Sequence, residues 1–180
     1  SLVRAKEGIS IQINKVSVNK SIINGCSGDM FAYKESTVAQ IPVTEITNST
    51  LIKPQGRIFY AGNAASFSID YCTMYGWGGS KAMLELGDKN TLGMSLAIKN
   101  TILANGGSNR KAHNANAAAN LSLTIEKVYG TNDMTFHSTL GDVTKYDKPS
   151  TEVFENPEEG NFKIIDALFP SSIGDPRWTE

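Results

Sequence analysis

The stretch Phe67-Ser68-Ile69-Asp70-Tyr71-Cys72 puts an apolar or aromatic side chain at alternate positions, with Ser and Asp between them. Period-2 alternation of this kind marks a strand with one face buried and one face wet. The same pattern recurs outward in both directions. Ile9, Ile11 and Ile13 alternate with polar residues, and Val16 and Val18 resume after a one-residue slip that reads as a bulge. Val38, Ile41, Val43 and Ile46 mark a further extended stretch, with Pro42 pointing to an edge. Ala82, Leu84 and Leu86 follow, then Met94, Leu96 and Ile98, then Leu121, Leu123 and Ile125, with a last strand over 161–169. Turn signals at Asn24-Gly25, Gly78-Gly79, Gly87-Asp88, Asn105-Gly106-Gly107 and Gly130-Thr131-Asn132-Asp133 separate these runs. The expectation is an all-β chain, an antiparallel sandwich of roughly eight to ten strands, immunoglobulin-like or jelly roll. An Ala-rich stretch near 108–120, opened by Ser108, interrupts it as a short helix or loop. No internal repeat is visible.

Composition sets the outer bounds. A chain of 180 residues is one domain, and it buries enough surface to fold without disulfides or metals. Hydrophobic residues make up 40% and charged residues 19%, which excludes a disordered chain. No apolar run approaches the roughly 20 residues that span a bilayer. A net charge of −1 removes the electrostatic case for nucleic acid. The 15 Asn and 31 Ser plus Thr favour turns and strand faces, a balance common in secreted all-β proteins. The chain starts at Ser1 without Met or signal peptide, as a processed product and an expressed fragment both do. An extracellular, cell-surface or virion setting is therefore expected.

Charge divides the chain. Residues 1–139 carry 13 basic and 9 acidic side chains, whereas 140–180 carry 4 basic and 9 acidic ones and four of the six prolines. The expected organisation is an extended N-terminal segment over 1–18, a body over 19–139 and an acidic tail over 140–180. The tail packs on the body or, by charge complementarity, on a neighbouring copy.

No catalytic set emerges. Gly25-Cys26-Ser27-Gly28-Asp29 resembles the nucleophile turn of a serine protease, but both histidines, His113 and His137, follow Ser27 and neither sits in a motif. Tyr75-Gly76-Trp77-Gly78-Gly79-Ser80-Lys81 has the wrong order for a phosphate loop. Glu158-Glu159 lies in polar sequence, unlike a glycosidase dyad. Neither cysteine has a second ligand at metal spacing, so no metal and no cofactor are expected. Cys26 and Cys72 are consistent with one disulfide or with two buried thiols. Trp77, flanked by glycines and with Tyr75 nearby, is either a contact for a sugar ring or partner, or a side chain folded back on the core.

Around the two cysteines the chain resembles the subunits of chaperone–usher fimbriae. Phe67-Ser68-Ile69-Asp70-Tyr71-Cys72 matches the stretch that ends in their second cysteine, and Cys26 follows an alternating segment as their first does. The resemblance implies a Cys26–Cys72 bridge and an immunoglobulin-like sandwich lacking one strand. Ile9, Ile11 and Ile13, with Val16 and Val18, would then form an assembly strand that inserts into the next copy. The expected function is thus a non-enzymatic structural subunit of a fimbria- or pilus-like filament whose partners are copies of itself. The alternatives are an adhesin or lectin-like module binding a host glycan or surface protein through Tyr75 and Trp77, and a virion or phage-tail subunit.

Overall fold

The computed structural model describes residues 14–33, 43–62, 65–87 and 93–179. Its strands are short and the chain coils through them in successive turns. The first turn holds β1 (Lys15–Asn19), β2 (Ile22–Asn24) and β3 (Phe31–Tyr33). The second holds β4 (Val43–Thr47), β5 (Thr50–Ile52) and β6 (Phe59–Ala61), and the third β7 (Ser66–Asp70), β8 (Thr73–Tyr75) and β9 (Leu84–Leu86). The fourth begins with β10 (Met94–Lys99) and β11 (Ile102–Ala104) and closes through a one-turn helix, α1 (Ala115–Ala118). β12 (Leu121–Glu126) and β13 (Tyr129–Gly130) start a further rung, to which β14 (Thr144–Lys145) adds. A terminal segment follows: α2 (Ser150–Val153), β15 (Phe154–Asn156) and β16 (Asn161–Ile164).

Each strand pairs in parallel with its counterpart one turn away. The first wall runs β1-β4-β7-β10-β12, the second β14-β13-β11-β8-β5-β2 and the third β3-β6-β9. Single parallel bridges, Leu84 with His113 and Arg110 with Phe136, extend the third wall. This is a parallel β-solenoid of about four turns, and it replaces the expected antiparallel sandwich. Among the described residues only β15 and β16 pair antiparallel.

The interior is built from ladders of like residues. Val18, Ile46, Ile69, Ile98 and Ile125 occupy one register row, and Val16, Thr44, Phe67, Leu96 and Leu123 the next. Each ladder residue packs on its neighbours about 4.8 Å above and below. Phe59 stacks on Phe67 with ring centroids 4.5 Å apart, and Phe31 on Phe59 at 5.9 Å. The one hydroxyl in these two rows, on buried Thr44, meets the Tyr33 phenol at 2.8 Å.

Corners between the first and second walls also stack. Lys20, Asn48, Tyr71, Asn100 and Lys127 all take positive φ, one per turn. The residue after each corner closes it: Ser21, Ser49 and Thr101 donate their hydroxyls to the carbonyls of Asn19, Thr47 and Lys99. Cys72 takes the same position, its thiol donating to the Asp70 carbonyl at 3.3 Å. Tyr71 and Cys72 therefore form a corner of the coil and not the end of a sandwich strand. Cys26 lies in the first turn and Cys72 in the third. Both are free thiols, so the expected disulfide is absent.

The middle strands of the second wall, β5, β8 and β11, are buried on both faces, because the terminal segment straps across their outside. Ile52, Tyr75, Ile102 and Ala104 pack outward against Val153, Phe154, Phe162, Phe169 and Ile173. The strap ends in a knot of hydrogen bonds, with Thr50 Oγ1 donating to Asp175 at 2.7 Å and Trp178 Nε1 donating to Thr50 Oγ1 at 2.7 Å. The acidic tail thus rests on its own body. Val16 and Val18 pair with Thr44 and Ile46 of the same chain as part of its first rung. Ile9, Ile11 and Ile13 lie outside the described residues, as do Val38, Ile41 and Pro42.

Candidate functional site

The third wall carries a pocket of about 360 Å³ on its flank, reached from the last two rungs. Ser80, Ala82 and Glu85 come from the third turn, Lys111, His113 and Asn114 from the fourth, and His137 and Thr139 from the rung below. Ala115 and Ala118 of α1 close one side with methyl groups. The pairing of Arg110 with Phe136 sets Lys111 beside His137, one position further on. Parallel stacking thus gathers side chains far apart in sequence.

Backbone contacts fix the two imidazoles in opposite tautomers. The Nδ1 atom of His113 lies 3.0 Å from the carbonyl of Asn114, which can only accept, so Nδ1 carries a proton and, in the neutral ring, Nε2 keeps its lone pair. The Nδ1 atom of His137 accepts the Thr139 amide at 3.2 Å, because His137 caps the short 3-10 turn Ser138–Leu140. Its proton therefore sits on Nε2. One ring offers an acceptor and the other a donor.

The remaining polar groups differ in how far they are committed. Glu85 is held by Arg57 Nε at 2.6 Å and by the Ala82 amide at 3.1 Å. Arg57 also pairs with Asp29 at 2.8 Å. Burial alone would lower the Arg57 pKa, but the Glu85 and Asp29 carboxylates raise it above its ordinary value. The Asn114 amide is used by the backbone of Leu86 and Ala117. Lys111 is exposed and, among the described residues, has no carboxylate at ion-pair distance. A hollow of about 370 Å³ between Lys20, Asn48 and Asp175–Arg177 is less free, since Asp175 and Arg177 pair with each other at 3.2 Å and Asp175 also binds Thr50.

The residues singled out from the sequence land elsewhere. Trp77 is 1% exposed, under the guanidinium of Arg110, which donates to the carbonyls of Gly78 and Gly79. Tyr75 is fully buried. Burial pushes its phenol up to about 12, aided by Glu158, to which the hydroxyl donates at 2.5 Å. Both rings lie in the core, so of the two alternatives for Trp77 the structure shows the side chain folded back on the core and not the ligand or partner contact. Ser27 is exposed in the first turn, outside the pocket that His113 and His137 share. Lys111 and Glu85 gave no sequence signal. The clue was the similar placement of residues 82–85, 111–114 and 137–139 after the corners at Tyr71, Asn100 and Lys127, legible only once the turn lengths are known.

A solenoid with a lateral strap and a polar pocket on its outer wall defines the class of protein. The chain belongs to the family described as a domain of unknown function, DUF5123, whose model matches residues 67–178. No curated protein and no solved structure matches it. The matched region contains every residue of the third-wall pocket and nearly the whole strap, while strands β4, β5 and β6 before it pair in parallel with β7, β8 and β9.

Proposed function

We propose that the protein is a non-enzymatic binding module that takes one unit of a hydroxyl-rich ligand, a saccharide, in the pocket of the third wall. The observation that carries this reading is the pair of imidazoles locked in opposite tautomers beside the uncommitted Lys111 ammonium. A sugar hydroxyl both donates and accepts, and here it meets an acceptor at His113 Nε2 and donors at His137 Nε2 and Lys111 Nζ. The Ala115 and Ala118 methyls give the C–H face of a ring an apolar floor. Among the described residues Glu85 is the one carboxylate in the lining, and Arg57 holds it, which favours binding over the paired-carboxylate chemistry of a glycosidase. The Asn-, Ser- and Thr-rich composition supports an extracellular setting for such a module.

Titration of the full chain with a panel of neutral and acidic mono- and oligosaccharides, followed by the imidazole NMR signals, tests the reading. Binding should move the His113 and His137 resonances together. Lys111→Ala should weaken it roughly ten- to a hundredfold, the value of about 1.5–3 kcal/mol for a charge-assisted hydrogen bond, and His113→Ala roughly two- to tenfold, about 0.5–1.5 kcal/mol for a neutral one. If no saccharide shifts either imidazole, the proposal fails.

A further inference from the structure

The first wall ends at β12, and among the described residues no strand lies beyond it. Met94 and Asn100 donate to the carbonyls of Asn120 and Glu126, so the even-numbered peptide groups of β12 face β10. The N–H and C=O groups of Leu121, Leu123 and Ile125 therefore point away from the sheet. The side chains of the same three residues face inward and remain only partly buried, unlike Leu96 and Ile98 one rung above. The second wall does gain a sixth strand, β14, but the first wall gains none. Exposed edges are normally blunted by Lys, Pro or a bulge. Leu121-Ser122-Leu123-Thr124-Ile125-Glu126 has none of these, and its single charge, Glu126, is paired with Lys99 at 2.9 Å.

We propose that β12 is a homodimer edge, pairing antiparallel with β12 of a second copy about a two-fold axis at Leu123. The strand is self-complementary in that register. Leu123 meets Leu123 of the second copy, and Leu121 meets Ile125, so the three outward peptide groups of each strand are all used and the apolar row becomes continuous. On the wet face Ser122 lies opposite Thr124, and Glu126 opposite the neutral Asn120. A shift by two residues would instead bring Lys127 opposite Leu121 on the apolar side. An isologous contact needs only this one surface on each copy.

Sedimentation or light scattering of the full chain over a range of concentrations should show a monomer–dimer equilibrium. Ser122→Lys with Thr124→Lys keeps the solvent face and the fold, checked by circular dichroism, but sets like charges directly opposite one another. It should weaken the dimer roughly tenfold or more. Ser122→Glu with Thr124→Glu should do the same, and an equimolar mixture of the two variants should dimerise again. A wild-type monomer at every concentration overturns the proposal. So does a dimer that either variant leaves intact, or a pair of monomeric variants that mixing fails to rescue.

Discussion

Cys72 does with a thiol what Ser49 and Thr101 do with hydroxyls in the turns on either side: it closes a corner by donating to the carbonyl two residues back. Burial pushes that thiol up to about 12, so it stays protonated and unreactive. Cys26 is half-exposed. In native protein without reductant, a thiol reagent should label Cys26 and leave Cys72 untouched, and unfolding should release the second equivalent. Absence of thiol after unfolding would restore the disulfide. The cysteines themselves were legible in the sequence, but their relation was not. Two thiols beside strand-like sequence read alike whether they sit across a sandwich or two turns apart on a coil, because spacing along the chain says nothing about turn number.

At the scale of elements, the longer strands were legible and the shorter ones were not. β7, β10 and β12 line a wall with a solvated outer face, so they alternate and announce themselves. β5, β8 and β11, reading Thr50–Ile52, Thr73–Tyr75 and Ile102–Ala104, are buried at every residue and carry no alternation. The strap that covers them depends on Gly174, whose φ is +92 and whose position leaves no room for a side chain. An added Cβ would lie 2.6 Å from Ile102 Cδ1 and 2.9 Å from Thr73 Oγ1. Gly174→Ala should therefore cost about 2 kcal/mol or more through strain and overpacking, read as a lower denaturant midpoint. An unchanged midpoint would show that this end of the strap contributes nothing to stability.

For the whole molecule, strap and coil share one buried apolar cluster, and they are expected to unfold together. Phe154, Phe162 and Phe169 bury fully or nearly so against the second wall, and each such side chain is worth roughly 1.5–3 kcal/mol. Their sum rivals the roughly 5–15 kcal/mol that holds an ordinary domain together. Removing residues 146–180 should thus give an aggregating or unfolded chain, visible by circular dichroism and light scattering. A soluble, folded remnant would mean that the solenoid stands without its strap. The candidate pocket also exists only at this scale, since Glu85, Lys111, His113 and His137 come from three rungs and approach one another only through the stacking of turns.

The sequence by itself determined that the chain is β-rich, where its longest strands run and which side chains of β7, β10 and β12 turn inward, because period-2 alternation is a local property of the backbone. The choice of partner for each strand belongs to the tertiary structure. Alternation is the same in parallel and antiparallel sheets. The repeat that separates them hides in unequal intervals between corners, formed here by Lys20, Asn48, Tyr71, Asn100 and Lys127, which share a left-handed conformation and no common side chain. The ladders of Ile and Phe, the burial of Trp77 and the placing of two histidines on one pocket all follow from that stacking, and none of them is a property of any segment alone.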